Sequence, residues 1–174
     1  MEAQLKKTVE NLTRQVAENP GTARAASLVR TRLVERLTCE AQARELPPLL
    51  IDEPPLMGGD DAGPSPVELV LMALGACQEI MYASMAALWG LELTKVEVRV
   101  EGHLDRRGFL GLKDDVRPGF DKVKFDTRLE SPGDPAKLAE LAAFVERHCP
   151  VLDIVRQPVP VEGRVRINGK RVKV

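Results

Sequence analysis

The sequence predicts one domain of the α+β class, in which antiparallel sheet packs around a long buried helix. Its 174 residues are within the usual size of a single domain, and 44% of them are hydrophobic. Two patterns predict the class. In several segments apolar residues alternate with charged ones, as in half-buried strands, and one long segment is apolar on almost every face. The predicted order is helix, strands, long helix, two strands, helix and strand.

Charge and composition exclude several classes of protein. The chain has 25 Lys and Arg against 26 Asp and Glu, so it has no global field for nucleic acid or for an anionic membrane. One Trp, one Tyr and four Phe are too few for a base-stacking surface. Three cysteines, an odd number, argue against a disulfide scaffold and favour a reducing compartment, so we expect a cytoplasmic protein. Glu68 and Glu79 interrupt the most apolar segment, which favours a soluble protein over a membrane span.

The N-terminal part of the chain divides into a helix, a strand region and a loop. Apolar residues at helical spacing predict a helix over Glu2–Glu18, and we place a helical extension at 1–25 before a main domain at 26–174. From Leu28 to Ala43, apolar and charged residues alternate, which indicates one half-buried strand or the two strands of a hairpin. A long proline-rich loop is predicted next, with a short strand at Leu49–Ile51.

The long apolar helix is predicted to begin at Pro66. Ser65 is a suitable N-cap, Pro66 suits the first helical position, and Glu68 follows the serine at the spacing of a capping box. The helix is apolar on almost every face through Leu88, and Trp89-Gly90 is predicted to end it. We therefore expect it to be covered on several sides, with a second subunit as one candidate cover.

The C-terminal half is predicted to contain two strands, a helix and a last strand. Alternation over Lys95–Glu101 and Lys122–Leu129 predicts strands with one wet face each, joined by a loop or a loosely structured hairpin over Asp105–Gly119. The helix that follows is predicted to end at Cys149. The valines and isoleucine of Val159–Ile167 suggest a last strand with a basic polar face.

Two cysteines are candidates for chemistry. Cys77 lies about three turns into the long helix, and the simplest interpretation of such a cysteine is a small buried hydrophobe. A reactive Cys77 would need a nearby cation to lower its pKa, because the helix N-terminus is distant. Cys149 lies at the C-terminal end of its helix, where the dipole disfavours a thiolate, so Cys149 should not attack first. The candidate cations share one parity of the first strand region: Arg30, Arg32, Arg36 and Arg44.

Other catalytic arrangements have weaker support. Glu68 is a candidate partner for such an arginine, but nine positions separate it from Cys77, about 180° around an ideal helix, which favours a capping role. A Cys–His hydrolase would require His103 or His148 to reach Cys77, and His148 does not share a helical face with Cys149. The spacing of Cys and His residues predicts no metal site, and no glycine-rich loop precedes a helix as in a phosphate site.

Two segments resemble motifs of the OsmC/Ohr family (osmotically induced protein C and organic hydroperoxide resistance proteins). The first segment resembles the start of that family's central helix, where a Pro, an acidic residue and a Leu precede an Ala/Gly-rich turn and a cysteine. It reads Gly63-Pro64-Ser65-Pro66-Val67-Glu68-Leu69-Val70-Leu71-Met72-Ala73-Leu74-Gly75-Ala76-Cys77. His148-Cys149-Pro150-Val151 resembles its second cysteine, followed by proline at a helix end. The residues of the first motif are more similar to those of OsmC-like branches of the family than to those of peroxidase-type members. The likeness extends from about Leu28 to Ile167, which leaves the first helix as an addition.

The resemblance implies an intertwined homodimer, with antiparallel sheets wrapped around a long central buried helix and active sites at the subunit interface. It also implies a thiol-dependent peroxidase for organic or lipid hydroperoxides that needs no bound cofactor, neither metal nor flavin. Carried over by motif, Cys77 is the peroxidatic thiol and Cys149 the resolving thiol, and a dithiol or lipoyl-type reductant reopens their disulfide. The family's arginine corresponds to Arg44, or to Arg36 as second choice. The family's acid position is occupied by Val67, and Glu68 lies one place later.

A second hypothesis comes from a different class of protein. The same dimer could bind a hydrophobic small molecule at an apolar interface pocket without catalysis, with cysteines that are incidental or sense redox state. The displaced acid and the ambiguous arginine favour this alternative. Neither hypothesis requires nucleic acid or a membrane as partner.

Overall fold

In a computed structural model, which describes residues 2–173, the chain folds as a mixed α+β protein with small antiparallel sheets. The helices are α1 Glu2–Glu18, α2 Pro66–Trp89, α3 Arg106–Phe109, α4 Pro135–His148 and α5 Pro150–Arg156. The strands are β1 Val29–Glu35, β2 Thr38–Ala43, β3 Leu49–Ile51, β4 Lys95–His103, β5 Lys122–Glu130, β6 Val165–Ile167 and β7 Lys170–Val172. Neighbouring strands pair in the orders β1-β2-β3, β4-β5 and β6-β7.

The N-terminus of α2 carries the predicted cap. The Glu68 carboxylate accepts hydrogen bonds from the Ser65 backbone N–H at 2.7 Å and from the Ser65 hydroxyl at 2.8 Å. Pro66 occupies the first turn, where its missing N–H costs nothing. At the other end Gly90 has a φ of 69°, a left-handed conformation that glycine adopts without strain and that ends the helix. Both predicted boundaries are confirmed.

The β4–β5 hairpin supplies one wall of the core. On its outer face, oppositely charged residues stand directly across from one another, which stabilises a solvated sheet surface: Lys95 and Glu130, Glu97 and Arg128, Arg99 and Asp126, Glu101 and Lys124. On its inner face the valines of β4 and the apolar residues of β5 are half-buried. The Glu79 carboxylate on α2 accepts the Val98 N–H at 3.1 Å and so ties the helix to β4.

Two apolar clusters form the core between α2 and its neighbours. Below the C-terminal half of α2, Tyr82 and Ala86 pack on Leu141 and Val145 of α4. Below its middle, a second cluster of buried residues joins Leu74, Cys149 and Leu152. The second cluster brings α5 against α2 and, with it, the junction between α4 and α5.

The sheet of β1, β2 and β3 stands apart from this core. All seven residues of β1 are exposed, including Leu33 at 65%. Within residues 2–173 its strands make most of their contacts with one another. The Arg36 guanidinium at the β1–β2 turn binds the Asp60 carboxylate at 2.9 Å and the Gly58 carbonyl at 3.0 Å, which attaches the hairpin tip to the loop before α2.

A buried carboxylate organises that loop. Asp52 is 1% exposed and accepts the backbone N–H groups of Glu53, Asp60 and Ala62. Burial acts to raise the pKa of Asp52, but these hydrogen bonds outweigh it and hold the pKa below its usual value. Gly59 allows the loop to close, because a Cβ there would collide with the backbone of Glu53.

The structure corrects three expectations from the sequence. The predicted last strand over Val159–Ile167 was wrong in extent: only Val165–Ile167 is extended in a ladder, paired with Lys170–Val172 in an exposed hairpin. The helix α5 was missed, because Pro150 follows the end of α4 and also occupies the first position of α5. The predicted loop over Asp105–Gly119 contains the single-turn helix α3.

Within this chain, β4, α4 and α5 cover one side of the long helix α2, and α1 contacts the helix as well. By length and hydropathy α2 is the single described helix that would qualify as a membrane span, yet only 28% of its most apolar window is buried. The opposite side remains exposed, with Met72 at 56% and Ile80 at 65%. The expected cover on several sides is therefore incomplete within one chain.

Candidate functional site

The structure brings Cys77 and Cys149 together, although 72 residues separate them in the sequence. Cys77 lies in the middle of α2 and Cys149 lies at the junction of α4 and α5. Both are free thiols, and Cys77 packs against the buried cluster of Leu74, Cys149 and Leu152. Two neighbouring thiols on separate helices are the arrangement that a reversible disulfide requires.

Burial makes the two thiols chemically different. Cys149 is 1% exposed, whereas Cys77 is half-buried. Burial raises the pKa of Cys149, the N–H of Leu152 at the start of α5 opposes that rise, and the neighbouring Cys77 raises the pKa further. Cys149 is therefore a poor first nucleophile, in agreement with the sequence analysis, and burial is the largest cause of its raised pKa.

Cys77 lies where the buried and uncovered sides of α2 meet. Leu74, less than one turn earlier, is fully buried, while Val70 is 44% exposed two turns before Cys77 on the same side of the helix. The uncovered side continues through Ile80. Cys77 is thus accessible from the rim of the exposed apolar face, and Cys149 lies behind it.

The candidate arginines lie in the β1–β3 sheet. Arg32 pairs with Glu40 across the hairpin at 2.7 Å, and Arg36 binds Asp60. Arg44 lies in the turn after β2 with a φ of 53°, a left-handed conformation, and is exposed. Arg30 is exposed on β1. The polar partners of Arg32 and Arg36 are therefore carboxylates of the same chain and not Cys77.

Glu68 acts as the cap of α2. Its two hydrogen bonds from Ser65, backbone first, lower the pKa of its carboxyl group. The carboxylate lies about 180° around the helix from Cys77 and two and a half turns earlier, so this chain does not bring it to the thiol.

The two histidines are engaged elsewhere. The His148 ring stacks on Phe144 with a centroid separation of 4.1 Å, and its Nδ1 lies 2.8 Å from the Phe144 carbonyl oxygen. His103 Nε2 lies 2.7 Å from the Glu101 carboxylate at the end of β4. This geometry gives the alternative of a Cys–His hydrolase no support.

Sequence reasoning missed one polar residue beside the thiols. Gln78 follows Cys77 and is 1% exposed, with its Oε1 accepting the Thr127 hydroxyl at 3.4 Å. Its Nε2 has no hydrogen-bond partner among residues 2–173. The sequence does show Gln78 as a lone amide within the apolar helix α2. Its burial was not predictable, because the packing of α2 against β5 decides which face of the helix is buried.

A groove of about 480 Å³ lies between α2 and β4. Leu71, Met72, Gly75 and Ala76 form one wall, and Val98 of β4 contributes to the other. Glu68 and Glu79 also line the groove, and Cys77 is not among its lining residues. The groove therefore lies on the Glu68 side of α2, away from the thiol.

Fold and site together define a mixed α+β protein with two neighbouring thiols, one on its longest helix and one at the junction of α4 and α5. The sequence matches the family of OsmC-like proteins over residues 58–163, which is more than half of the chain. The protein belongs to this family, and the resemblance read from the two cysteine motifs is confirmed. No curated protein matches the sequence.

Solved structures of the family share the fold. An OsmC-like protein from Mycoplasma pneumoniae is 18% identical with a TM-score of 0.66, covering 77% of this chain and 89% of the other. The organic hydroperoxide resistance protein OsmC from Legionella pneumophila is 18% identical with a TM-score of 0.55, covering 76% and 90%. OhrB of Bacillus subtilis, also an organic hydroperoxide resistance protein, is 19% identical with a TM-score of 0.51, covering 77% and 93%.

Proposed function

We propose that this protein is a thiol-dependent peroxidase that reduces organic or lipid hydroperoxides through a Cys77 sulfenic acid and a Cys77–Cys149 disulfide. The observation that carries the proposal is the contact between half-buried Cys77 and fully buried Cys149. Membership of a family that includes organic hydroperoxide resistance proteins supports a peroxidase-like role at the level of the family.

The proposed cycle has three steps. The Cys77 thiolate attacks the distal peroxide oxygen, the O–O bond breaks, and the alkoxide leaves as an alcohol after it takes a proton. Cys149 then attacks the sulfur of the Cys77 sulfenic acid, which forms the disulfide and releases water. A dithiol or lipoyl-type reductant reopens the disulfide and is itself oxidised to a disulfide. No step requires a bound metal or flavin.

The apolar surroundings of Cys77 favour an apolar substrate. Leu74, Val70 and Met81 flank the thiol on α2. Burial of an alkyl chain against these side chains is favourable, whereas hydrogen peroxide has no apolar surface to bury there and gains little binding free energy. An alkyl or lipid hydroperoxide is therefore the proposed substrate class.

A homodimer is part of the proposal, because one chain leaves apolar surface uncovered on two elements. On α2 the exposed side includes Met72 and Ile80, and on β1 Val29 and Leu33 are more than half exposed. Exposed patches of this kind mark association surfaces in soluble proteins. A second copy packed on α2 would also bury the apolar surface of this helix, as we propose for a soluble, cytoplasmic protein.

In the proposed dimer, the second copy would provide the positive charge beside Cys77. A nearby positive charge favours the thiolate form of a reactive cysteine. Because the β1–β3 sheet extends away from its own core, a second copy could place an arginine of this sheet over Cys77. Arg44 is the first candidate, since Arg36 is already bound to Asp60. A catalytic role for Glu68 stays a prediction, which its capping bonds argue against.

The test is stopped-flow mixing of reduced protein with cumene hydroperoxide, followed by counting of free thiols. We expect rapid loss of two thiols per chain in the wild type and in Cys39→Ser, the matched control on β2. Cys77→Ser should consume no hydroperoxide, and Cys149→Ser should allow at most one turnover. Consumption by both variants at the wild-type rate would refute the assignment.

The alternative function is binding of a hydrophobic small molecule without turnover. The observation in its favour is that Glu68 is bound to Ser65 and Val67 occupies the family's acid position. Binding of an environment-sensitive apolar dye, displaced by long-chain alcohols, together with no loss of thiols to hydroperoxide, would support this function instead.

A further inference from the structure

The structure distinguishes the two sulfurs of the disulfide on which the proposed function rests. Cys149 is 1% exposed at the junction of α4 and α5, whereas Cys77 is half-buried at the rim of the uncovered side of α2. Building on the proposed peroxidase cycle, we propose that the reductant attacks Sγ of Cys77 and that Cys149 is the sulfur expelled.

The geometry of approach supports this polarity. A thiolate attacks a disulfide sulfur in line with the S–S bond, on the side opposite the leaving sulfur. Leu74 and Leu152 pack around Cys149 and are themselves buried, so they obstruct an approach to that sulfur. Within one chain the approach to Cys77 passes Val70, which is 44% exposed, and needs no opening of the core. In the proposed dimer, this polarity requires that the second copy leave the rim beside Val70 open.

The surroundings of Cys149 offer a departing sulfur two backbone donors, although burial, the larger effect, makes it a poorer leaving group. The backbone N–H groups of Leu152 and Val151, at the start of α5, favour its thiolate and so lower its pKa, which offsets part of the rise caused by burial. These donors belong to the backbone and are already in place when the S–S bond breaks. Because the net pKa of Cys149 is raised, the expelled thiolate then takes up a proton.

The electrons and protons balance in two exchanges. The first reductant sulfur bonds to Cys77 Sγ, the S–S bond to Cys149 breaks, and its electron pair stays on Cys149, which is protonated. The second reductant thiolate then attacks the reductant sulfur of this mixed disulfide and expels the Cys77 thiolate. The reductant leaves as a disulfide, and the protein has gained two electrons.

Peptide mapping after trapping tests the proposal directly. The reduced protein is oxidised with diamide, which requires no peroxidase activity, and is mixed with 2-mercaptoethanol, quenched in acid and alkylated under denaturing conditions. Trypsin separates the thiols into the peptides 45–95 with Cys77, 148–156 with Cys149 and 37–44 with Cys39. We expect roughly tenfold more mercaptoethanol adduct on 45–95 than on 148–156, and comparable amounts when the oxidised protein is first unfolded in urea.

A matched pair of variants tests the same point by rate. Val70→Phe adds bulk beside Cys77, and Ile154→Phe adds similar bulk on α5, at a position 56% exposed. We expect Val70→Phe to slow reduction of the diamide-formed disulfide by about tenfold and Ile154→Phe to leave the rate unchanged.

The outcomes separate this inference from the proposed function. Adduct mainly on 148–156, or comparable on both peptides of the folded protein, overturns the inference alone. Reduction slowed by Ile154→Phe and not by Val70→Phe overturns it as well. Failure of diamide to form any Cys77–Cys149 disulfide overturns the two-thiol cycle and this inference together.

Discussion

Substitution of Glu68 separates its role as a helix cap from a role in catalysis. Glu68→Ala removes both hydrogen bonds from Ser65, at 2.7 Å and 2.8 Å. A hydrogen bond to a charged group contributes roughly 1.5–3 kcal/mol when it is sheltered from water. Because Glu68 is exposed, solvent screening reduces this, and we expect a loss of about 1–2 kcal/mol in unfolding free energy. For a chain of this size, that lowers Tm by about 2–8 °C.

The effect of Glu68→Ala should depend on pH in a defined direction. The bonds from Ser65 lower the pKa of Glu68 from its usual 4.5. A carboxyl group whose pKa is lowered by folding stabilises the protein above its unfolded pKa, and this contribution is lost as the pH falls through the folded pKa. The difference in stability between wild type and Glu68→Ala should therefore be full at pH values above 4.5 and shrink below it.

The assay combines urea unfolding, followed by circular dichroism, with hydroperoxide consumption by each variant. Glu68→Gln keeps a side chain that completes a capping box, so it should lose less stability than Glu68→Ala and retain activity. Glu140→Ala removes an exposed carboxylate of α4 and controls for the change in net charge. A Glu68→Gln variant that unfolds like wild type but no longer consumes hydroperoxide would refute the capping interpretation.

Three further predictions concern the core. Leu141→Ala removes a fully buried side chain and should lower the free energy of unfolding in urea by about 2–5 kcal/mol. Val161→Ala, at a position 85% exposed, should change this free energy by less than about 0.5 kcal/mol. Equal losses in the two variants would contradict the burial of Leu141. Gln78→Met should stabilise the protein by about 1 kcal/mol, since Nε2 has no partner within residues 2–173, and destabilisation would show that the amide is satisfied. Asp52→Asn should destabilise the protein above pH 3.8 and less in acid, because backbone hydrogen bonds hold the pKa of Asp52 below that value despite its burial; a pH-independent loss would contradict this.

The local elements of the fold were predictable because their signals lie close together in the sequence. Ser65, Pro66 and Glu68 define the start of α2 within four positions, and Gly90 defines its end. Alternation of valines with charged residues was enough to predict β4 and β5, since one face of that hairpin is solvated. The β1–β2 hairpin was left open between one strand and two, because alternation continues through the turn at Arg36.

Other features depended on packing and were not predictable. The helix α5 begins at Pro150, directly after the C-cap of α4, and from the sequence alone a proline in that place predicts only the end of a helix. The extent of the last strand was overestimated, because valines at Val159 and Val161 alternate without meeting a partner strand. The partner of Arg36 turned out to be Asp60, 24 residues away in a loop whose course depends on the buried Asp52.

By itself the sequence determined which segments become helix or strand and which two thiols to examine, because capping, periodicity and the cysteine motifs are local properties of the chain. Only the tertiary structure decided that Cys77 and Cys149 are neighbours, that Cys149 is the buried one, and that Glu68 is bound to Ser65. Residues 72 positions apart meet only when α5 packs against α2, and burial, which sets the difference between the two thiols, exists only in that packed state.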